Sequence, residues 1–226
     1  MAIAAFVIDC DGTLVDTEPL WNLAKREVTE RWGGSWSGSL EASLAGVSLD
    51  ATSHRLAQVT GSVAAEEAIA GDLLDGFWAR LTATPVAPLD GAGELLEALA
   101  ARGIPVAVAS NGERIHVERA LRSAGLRSTI ASVHSPDGSE RPKPEPDLYL
   151  AACRSLGVAP ADSIAIEDAP PGLKAARSAG LLTLAAPTAR EAPLDVDGRL
   201  ASLWPLDLEA LELALAQRAA RAPAPR

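Results

Sequence analysis

The chain is poor in the residues that staple, ligate soft metals or bind polyanions. Its 226 residues include two cysteines, three histidines and one methionine, and its 20 Lys and Arg are outnumbered by 30 Asp and Glu, for a net charge of −10. Cys10 and Cys153 are too few for a disulfide framework and fit a reducing compartment. The acidic balance argues against nucleic acid or an anionic membrane as the main partner. An anionic substrate would therefore need locally focused positive charge. Apolar runs are short of the ~18 residues of a membrane span. The apolar stretch Ala2 to Ile8 lacks a basic flank and meets Asp9 at once, so it does not read as a signal peptide. A cytoplasmic, membrane-free protein is expected. No coiled-coil heptads are present, so a monomer is expected too.

Ile3 to Ile8 reads as a strand and runs straight into Asp9-Cys10-Asp11-Gly12-Thr13. Two carboxylates at i and i+2 beyond a strand repel each other and cost stability. A Mg²⁺ ion and a phosphate beside them would give both a purpose: Asp9 can attack phosphorus while Asp11 handles the leaving group's proton. The plainer reading is an Asp-Gly turn with a helix-capping Asp.

From about residue 85 the chain keeps one rhythm of helix, glycine and short apolar run. Helices are expected over Gly91–Arg102, Arg114–Ala124, Asp147–Leu156 and Pro170–Ala179. Gly103, Gly125, Gly157 and Gly180 supply their left-handed ends. The strands that follow are Ile104–Ala109, Ile130–Val133, Ser163–Ile166 and Leu181–Ala185, without polar alternation. That pattern implies an α/β fold, a doubly wound, Rossmann-like parallel sheet covered on both faces. Residues 16–84 break the rhythm. Thr17 reads as the cap of a helix carrying Trp21, Ala24, Val28 and Trp32 and ending at Gly33-Gly34; a second carries Ile69, Leu73, Phe77 and Leu81. The expected division is a core of residues 1–15 and 85–226 with an inserted α-helical cap domain, 16–84. Five of the eight aromatics lie in the insertion, as bundle core or, for one or two, as stacking surfaces for a sugar ring. A helix is expected from Asp207, frayed over 219–226.

Ligands of doubly wound sheets bind beyond the carboxyl ends of the strands. The second strand delivers Ser110 and Asn111 there, at a helix start able to hold phosphate oxygens. The fourth delivers Glu167-Asp168, which would complete a Mg²⁺ site with Asp9. Between strands three and four, Arg141-Pro142-Lys143-Pro144-Glu145-Pro146 holds Lys143 on a stiff loop, a cation that can bind a transferring phosphoryl group. Alone, Ser110 and Asp168 read as helix caps and Lys143 as part of a solvated connector. In this order at successive strand ends, the plainer readings no longer compete.

These residues resemble the four ordered motifs of the haloacid dehalogenase superfamily: Asp9 to Thr13 the first, Ser110 the second, Lys143 the third, Glu167-Asp168 the fourth. The likeness extends over Leu89–Asn111, Lys143–Tyr149 and Ile166–Gly180 and covers most of the chain up to about Ala186. The insertion is similar to the helical cap of the subgroup that holds the β-phosphoglucomutases and sugar-phosphate phosphatases. The resemblance implies two-step phosphoryl transfer. Asp9 is the nucleophile, Asp11 the acid and base, and Ser110, Asn111 and Lys143 hold the phosphate. Mg²⁺ is held by Asp9, the backbone carbonyl of Asp11, Asp168, and Glu167 directly or through water. The cap closes over the site about Asp16-Thr17 and Thr84-Pro85.

The implied function is Mg²⁺-dependent hydrolysis of a small phosphorylated metabolite, a sugar or polyol phosphate. The main alternative is a phosphomutase. The mutases resemble this chain at Gly46-Val47-Ser48 but carry a basic residue next, where Leu49 stands, and a histidine where Trp21 stands. Thr17-Glu18-Pro19-Leu20-Trp21 instead looks like the cap start of sugar- and hexitol-phosphate phosphatases. Dehalogenases lack the second aspartate of the first motif, which Asp11 supplies. Phosphonate hydrolysis relies on a cap lysine, and no motif surrounds Lys25. A cysteine phosphatase would need arginine where Asp16 stands, and Cys10 is expected to tuck inward as a small apolar residue. A non-catalytic pseudoenzyme or signalling module would be expected to lack a motif residue or the cap. Lys25, His54 and Arg55 could supply a substrate contact, but the first expectation for each is the solvated surface. Ala169-Pro170-Pro171 departs from the Ser or Thr common after the fourth motif and bears on how the metal ligands are supported.

Overall fold

Unbroken runs of Ile, Val, Leu and Ala have no solvent face, and the four inner strands of the sheet are buried along their whole length. The computed structural model describes residues 2–45, 47–189 and 196–221. In chain order the elements are β1 (Ala5–Ile8), α1 (Glu18–Arg31), α2 (Gly38–Ser43), α3 (Leu49–Thr60), α4 (Glu66–Ala83) and α5 (Ala92–Ala101). There follow β2 (Val106–Ala109), α6 (Arg114–Ser123), β3 (Ser132–His134), α7 (Asp147–Leu156) and β4 (Ser163–Glu167). The last are α8 (Pro170–Ala179), β5 (Leu182–Ala185), β6 (Gly198–Arg199) and α9 (Leu208–Arg221). The six strands form one parallel sheet in the order β3-β2-β1-β4-β5-β6. The expected doubly wound sheet is therefore present. The chain leaves β1 toward one edge and returns to build the other, which opens a crevice beyond the carboxyl ends of β1, β2 and β4.

The two sheet faces differ in bulk. Phe6, Ile8, Val106, Val108, Ile164 and Ile166 point to one side and pack with Leu95, Leu99 and Leu121 of α5 and α6. Val7, Ala107, Ala109 and Ala165 point to the other, against Ala152, Cys153, Ala175 and Ala176 of α7 and α8. Small residues on that face let two helices approach the sheet closely, so period-two order lies beneath an apparently uniform run.

Between β1 and α5 the chain is helical. Ile69, Leu73, Phe77 and Leu81 of α4 are all buried, as their spacing predicts. Val28, Leu40, Leu44, Leu56, Ala57, Ile69 and Leu73 form a cluster of their own, while Phe77 and Leu81 join the main core. The insertion holds two further helices, α2 and α3, that periodicity did not locate. Ser37 and Ser48 cap them, accepting from the backbone N–H of Leu40 and Ala51. Thr17 makes no such cap at α1; its hydroxyl is used elsewhere. The backbones leading into and out of the insertion run side by side: Val15 and Pro88 pair antiparallel, and the Leu89 N–H donates to the Leu14 carbonyl at 2.9 Å. Gly46 and the segment 222–226 lie outside the described residues. The third strand begins two residues later than expected, and the edge strand β6 was not anticipated.

Candidate active site

The first loop is built around two carbonyls. The Asp9 N–H extends the ladder to the Ile166 carbonyl at 3.0 Å, which sets Asp9 beside Glu167. The chain then folds back, with the N–H groups of Leu14 and Val15 both donating to the Cys10 carbonyl. Gly12 makes the turn at φ +82°, and a Cβ there would lie 2.4 Å from Asp168 Oδ2, so this approach requires glycine. Cys10 is fully buried in the apolar core, as expected.

Asp9, Glu167 and Asp168 each offer a carboxylate oxygen, all within 4.8 Å of one another. The Lys143 ammonium donates to both Asp9 and Glu167. Tyr149 donates its hydroxyl to Glu167 at 3.1 Å, and the Ala169 N–H donates to the other Glu167 oxygen at 3.1 Å. In Ala169-Pro170-Pro171 the main chain thus supports this carboxylate. Burial, then the Glu167 charge, hold Asp9 well above the ordinary carboxylate range, with Lys143 pulling the other way. The same two causes push Asp168 up to about 7. Burial works to lower the Lys143 ammonium, but Asp9 and Glu167 outweigh it and raise its pKa. Three clustered carboxylates against one ammonium are costly to ionise together, and hard oxygen donors in this number suit a divalent cation of the Mg²⁺ type.

Asp11 stands apart from that cluster. It accepts from the Thr17 hydroxyl and, at 3.3 Å, from Ser110 Oγ. Burial raises its pKa, opposed by the Thr17 hydrogen bond and aided by Glu18. Ser110 also accepts from the Gly112 N–H at 3.0 Å, so its hydroxyl reaches Asp11 and braces the turn ahead of α6. That helix begins at Arg114, so Ser110 does not stand at the helix start expected for it. The Asn111 amide, expected at the phosphate, meets the Lys143 backbone. Its Oδ1 accepts from the Lys143 N–H at 2.8 Å and its Nδ2 donates to the Lys143 carbonyl at 3.2 Å. It is a positioning residue that brackets the lysine's backbone.

These groups line one end of a cleft of about 1020 Å³, whose other end is lined by α1 to α3, including Trp21, Asn22, Lys25 and Glu41. His54 and Arg55 are exposed, as expected. Lys25 is not: it is 5% exposed and faces this cleft. Its aliphatic stem packs inward while the ammonium meets the Leu44 carbonyl and Glu18. Trp21 stacks on Phe77 with ring centroids 4.0 Å apart, which makes it part of the apolar packing and also a cleft wall. Sequence reasoning missed Thr17 as a partner of Asp11, Tyr149 as a partner of Glu167, and Gly172, where a Cβ would lie 1.7 Å from Glu167 Oε1. Only tertiary contacts reveal those roles.

The family model for haloacid dehalogenase-like hydrolases matches residues 3–180. The chain is 31% identical over 194 residues to validoxylamine A 7'-phosphate phosphatase of Streptomyces hygroscopicus subsp. limoneus, covering 82% of this chain and 86% of that protein. It is 27% identical over 183 residues to the bifunctional riboflavin kinase/FMN phosphatase of Arabidopsis thaliana; the match takes in 80% of this chain and spans 48% of that protein's length. The crystal structure of β-phosphoglucomutase from Clostridium difficile superposes with a TM-score of 0.83 at 20% identity, covering 97% of this chain and 100% of that one, a likeness of fold. With four motifs gathered at one crevice and a family match over most of its length, the chain belongs to the haloacid dehalogenase-like hydrolases, among their phosphatases.

Proposed function

We infer that the chain hydrolyses the phosphate monoester of a small metabolite, a sugar or polyol phosphate, with Mg²⁺ and through an aspartyl-phosphate on Asp9. The observation that carries this reading is the division of labour among the carboxylates. Asp9 belongs to the cluster with Glu167 and Asp168, whereas Asp11 is held outside it by Thr17 and Ser110. A carboxylate oxygen of Asp9 attacks phosphorus as the bond to the leaving oxygen breaks, and a protonated Asp11 gives that oxygen its proton. A water oxygen then attacks the phosphorus of the acyl phosphate, Asp11 takes its proton, and Asp9 is released with inorganic phosphate. The raised pKa of Asp11 suits a group that must carry a proton for part of the cycle. Lys143 and Ser110 bind phosphate oxygens, and Asn111 holds the Lys143 backbone in place.

Asp9, Asp168, the Asp11 carbonyl and Glu167 would hold Mg²⁺, which when bound offsets the carboxylates and the negative charge of the transferring phosphoryl group. Residues 16–84 act as a cap over the cleft, with the paired connections near Val15 and Pro88 at its base. One chain supplies every group invoked, which supports a monomer. The buried, unpaired state of Cys10 and Cys153 supports a reducing compartment such as the cytoplasm. Among the described residues, no helix is long and apolar enough to cross a membrane.

The test is phosphate release from a panel of sugar, polyol and glycolate phosphates with Mg²⁺ or EDTA. We expect release that needs the metal and falls by at least about 10³-fold in Asp9→Asn. Full turnover by Asp9→Asn would remove the nucleophile. β-Glucose 1-phosphate with a trace of glucose 1,6-bisphosphate belongs in the panel. Its conversion to glucose 6-phosphate without release would make the protein a mutase in spite of Trp21 and Leu49.

A further inference from the structure

At the end of the cleft away from Asp9, two polar groups lack adequate partners. Lys25 is 5% exposed, and among the described residues its ammonium has only long contacts, 3.3 Å to the Leu44 carbonyl and 3.5 Å to Glu18 Oε1. Ordinary N–H···O bonds fall at about 2.7–3.2 Å, so three donors are poorly used in a buried position. One turn earlier on α1, Asn22 donates from Nδ2 to Glu41 Oε1 at 3.0 Å. That bond fixes the orientation of the amide and leaves Oδ1 buried with no hydrogen-bond partner among the described residues. Residues three apart share a helix face. A poorly used donor and an unpartnered acceptor therefore share one face of α1 on the wall of the cleft.

We propose that Asn22 and Lys25 are specificity-determining residues that bind a hydroxyl of the leaving group, so that the preferred substrate is a phosphate ester of a neutral polyol or sugar. One hydroxyl satisfies both groups, accepting from Lys25 Nζ and donating to Asn22 Oδ1. A second phosphate or a carboxylate at this end would meet Glu18 and Glu41, which flank the single ammonium and leave no net positive charge to receive it. The other lysine lining the cleft, Lys143, is engaged by Asp9 and Glu167. Trp21, on the same helix and stacked on Phe77, adds an apolar wall suited to the carbon face of such a molecule. The inference rests on the phosphatase reading for the position of the phosphate, and deepens it by naming what lies at the far end.

The test compares D-glucitol 6-phosphate, n-butyl phosphate and 2-phosphoglycolate. Turnover is followed in the wild-type protein, Lys25→Met and Asn22→Ala, and calorimetric binding in each of these combined with Asp9→Asn. We expect the wild type to favour the glucitol ester over the butyl ester, and each substitution to reduce that kcat/KM ratio about 10- to 100-fold, mainly through KM, the worth of a hydrogen bond to a charged or buried group. Lys25→Gln, which keeps a donor, should recover part of the ratio. A purely structural role would lower both esters alike and leave the ratio unchanged, which overturns the proposal. A preference for 2-phosphoglycolate that Lys25→Met removes overturns it as well, because the lysine would then be an anion site. Asn22→Ala, at a partly exposed position, decides the matter if Lys25→Met does not fold. Release from both simple esters at a ratio near one defeats this inference alone. Lys25-dependent binding of the glucitol ester with no release from any ester defeats the phosphatase reading alone.

Discussion

A methyl group at position 172 would lie 1.7 Å from Glu167 Oε1. Alanine normally stabilises a helix by about 1 kcal/mol over glycine. Here the displaced carboxylate is buried and bonded to Lys143, Tyr149 and the Ala169 N–H, so the clash outweighs the gain. Gly172→Ala should weaken Mg²⁺ activation about 10- to 100-fold in a metal titration of turnover, with secondary structure retained by circular dichroism. Asn111→Ala removes two hydrogen bonds to the Lys143 backbone. At about 1 kcal/mol each, and about 2–4 °C per kcal/mol for a domain of this size, Tm should fall by roughly 4–8 °C in a thermal melt. The kcat should fall about tenfold or more as Lys143 loses its fixed place. That the motif aspartates, Ser110, Lys143 and Glu167 would line one cleft was legible from their order along a parallel sheet, although each residue taken alone has a plain structural reading. The bracketing by Asn111 was not, because its partner is 32 residues away. Lys25 misled for another reason: charge suggests solvent, while four methylenes allow burial.

At the scale of elements, α6 ties the sheet to the helical insertion. His116 lies 3.9 Å from the Trp78 ring centroid and meets Phe77 edge-on at 5.6 Å. Burial lowers its pKa to about 4, against a smaller upward pull from Asp137. The folded-state value is the depressed one, so the unfolded chain binds the proton first. The contribution of His116 should be intact above about pH 6.5, fall as pH drops toward 4, and level off below, at a cost of up to about 3 kcal/mol. Denaturant melts of wild type and His116→Leu across that range test this, and the variant should show the shallower decline. Equal slopes would mean the imidazole contributes nothing to acid sensitivity. Element by element, the helix-glycine-strand rhythm after residue 85 was readable because each glycine takes the left-handed position at a helix end, as at Gly157 and Gly180. The short helices α2 and α3 were not, since α2 buries only Leu40 and α3 spreads Thr52, Ser53, Leu56 and Ala57 over its buried face. β6 is two residues long and announces itself only by pairing with β5.

For the molecule as a whole, clustering three carboxylates carries a cost that a bound cation removes. By mass action, Mg²⁺ at a hundred times its Kd would add about 2.7 kcal/mol, or roughly 5–11 °C in Tm. EDTA should reverse the gain, and Asp168→Asn should blunt it; a melt indifferent to Mg²⁺ would place the cation elsewhere. The doubly wound architecture was legible from the alternation of helices with uniformly apolar strands, and a parallel sheet of that kind sends the ends of β1, β2 and β4 to one crevice. How the insertion meets that crevice was not, because it depends on contacts such as Trp21 on Phe77 that cross between distant segments. The antiparallel pairing of Val15 with Pro88 carries a last implication. Both ends of the insertion leave the sheet at one point, already tied together. Lengthening or exchanging the helices between them adds little closure entropy, which grows only with the logarithm of loop length. The core can thus serve as a socket, keeping its phosphoryl chemistry fixed while the plugged-in helices diverge toward other leaving groups.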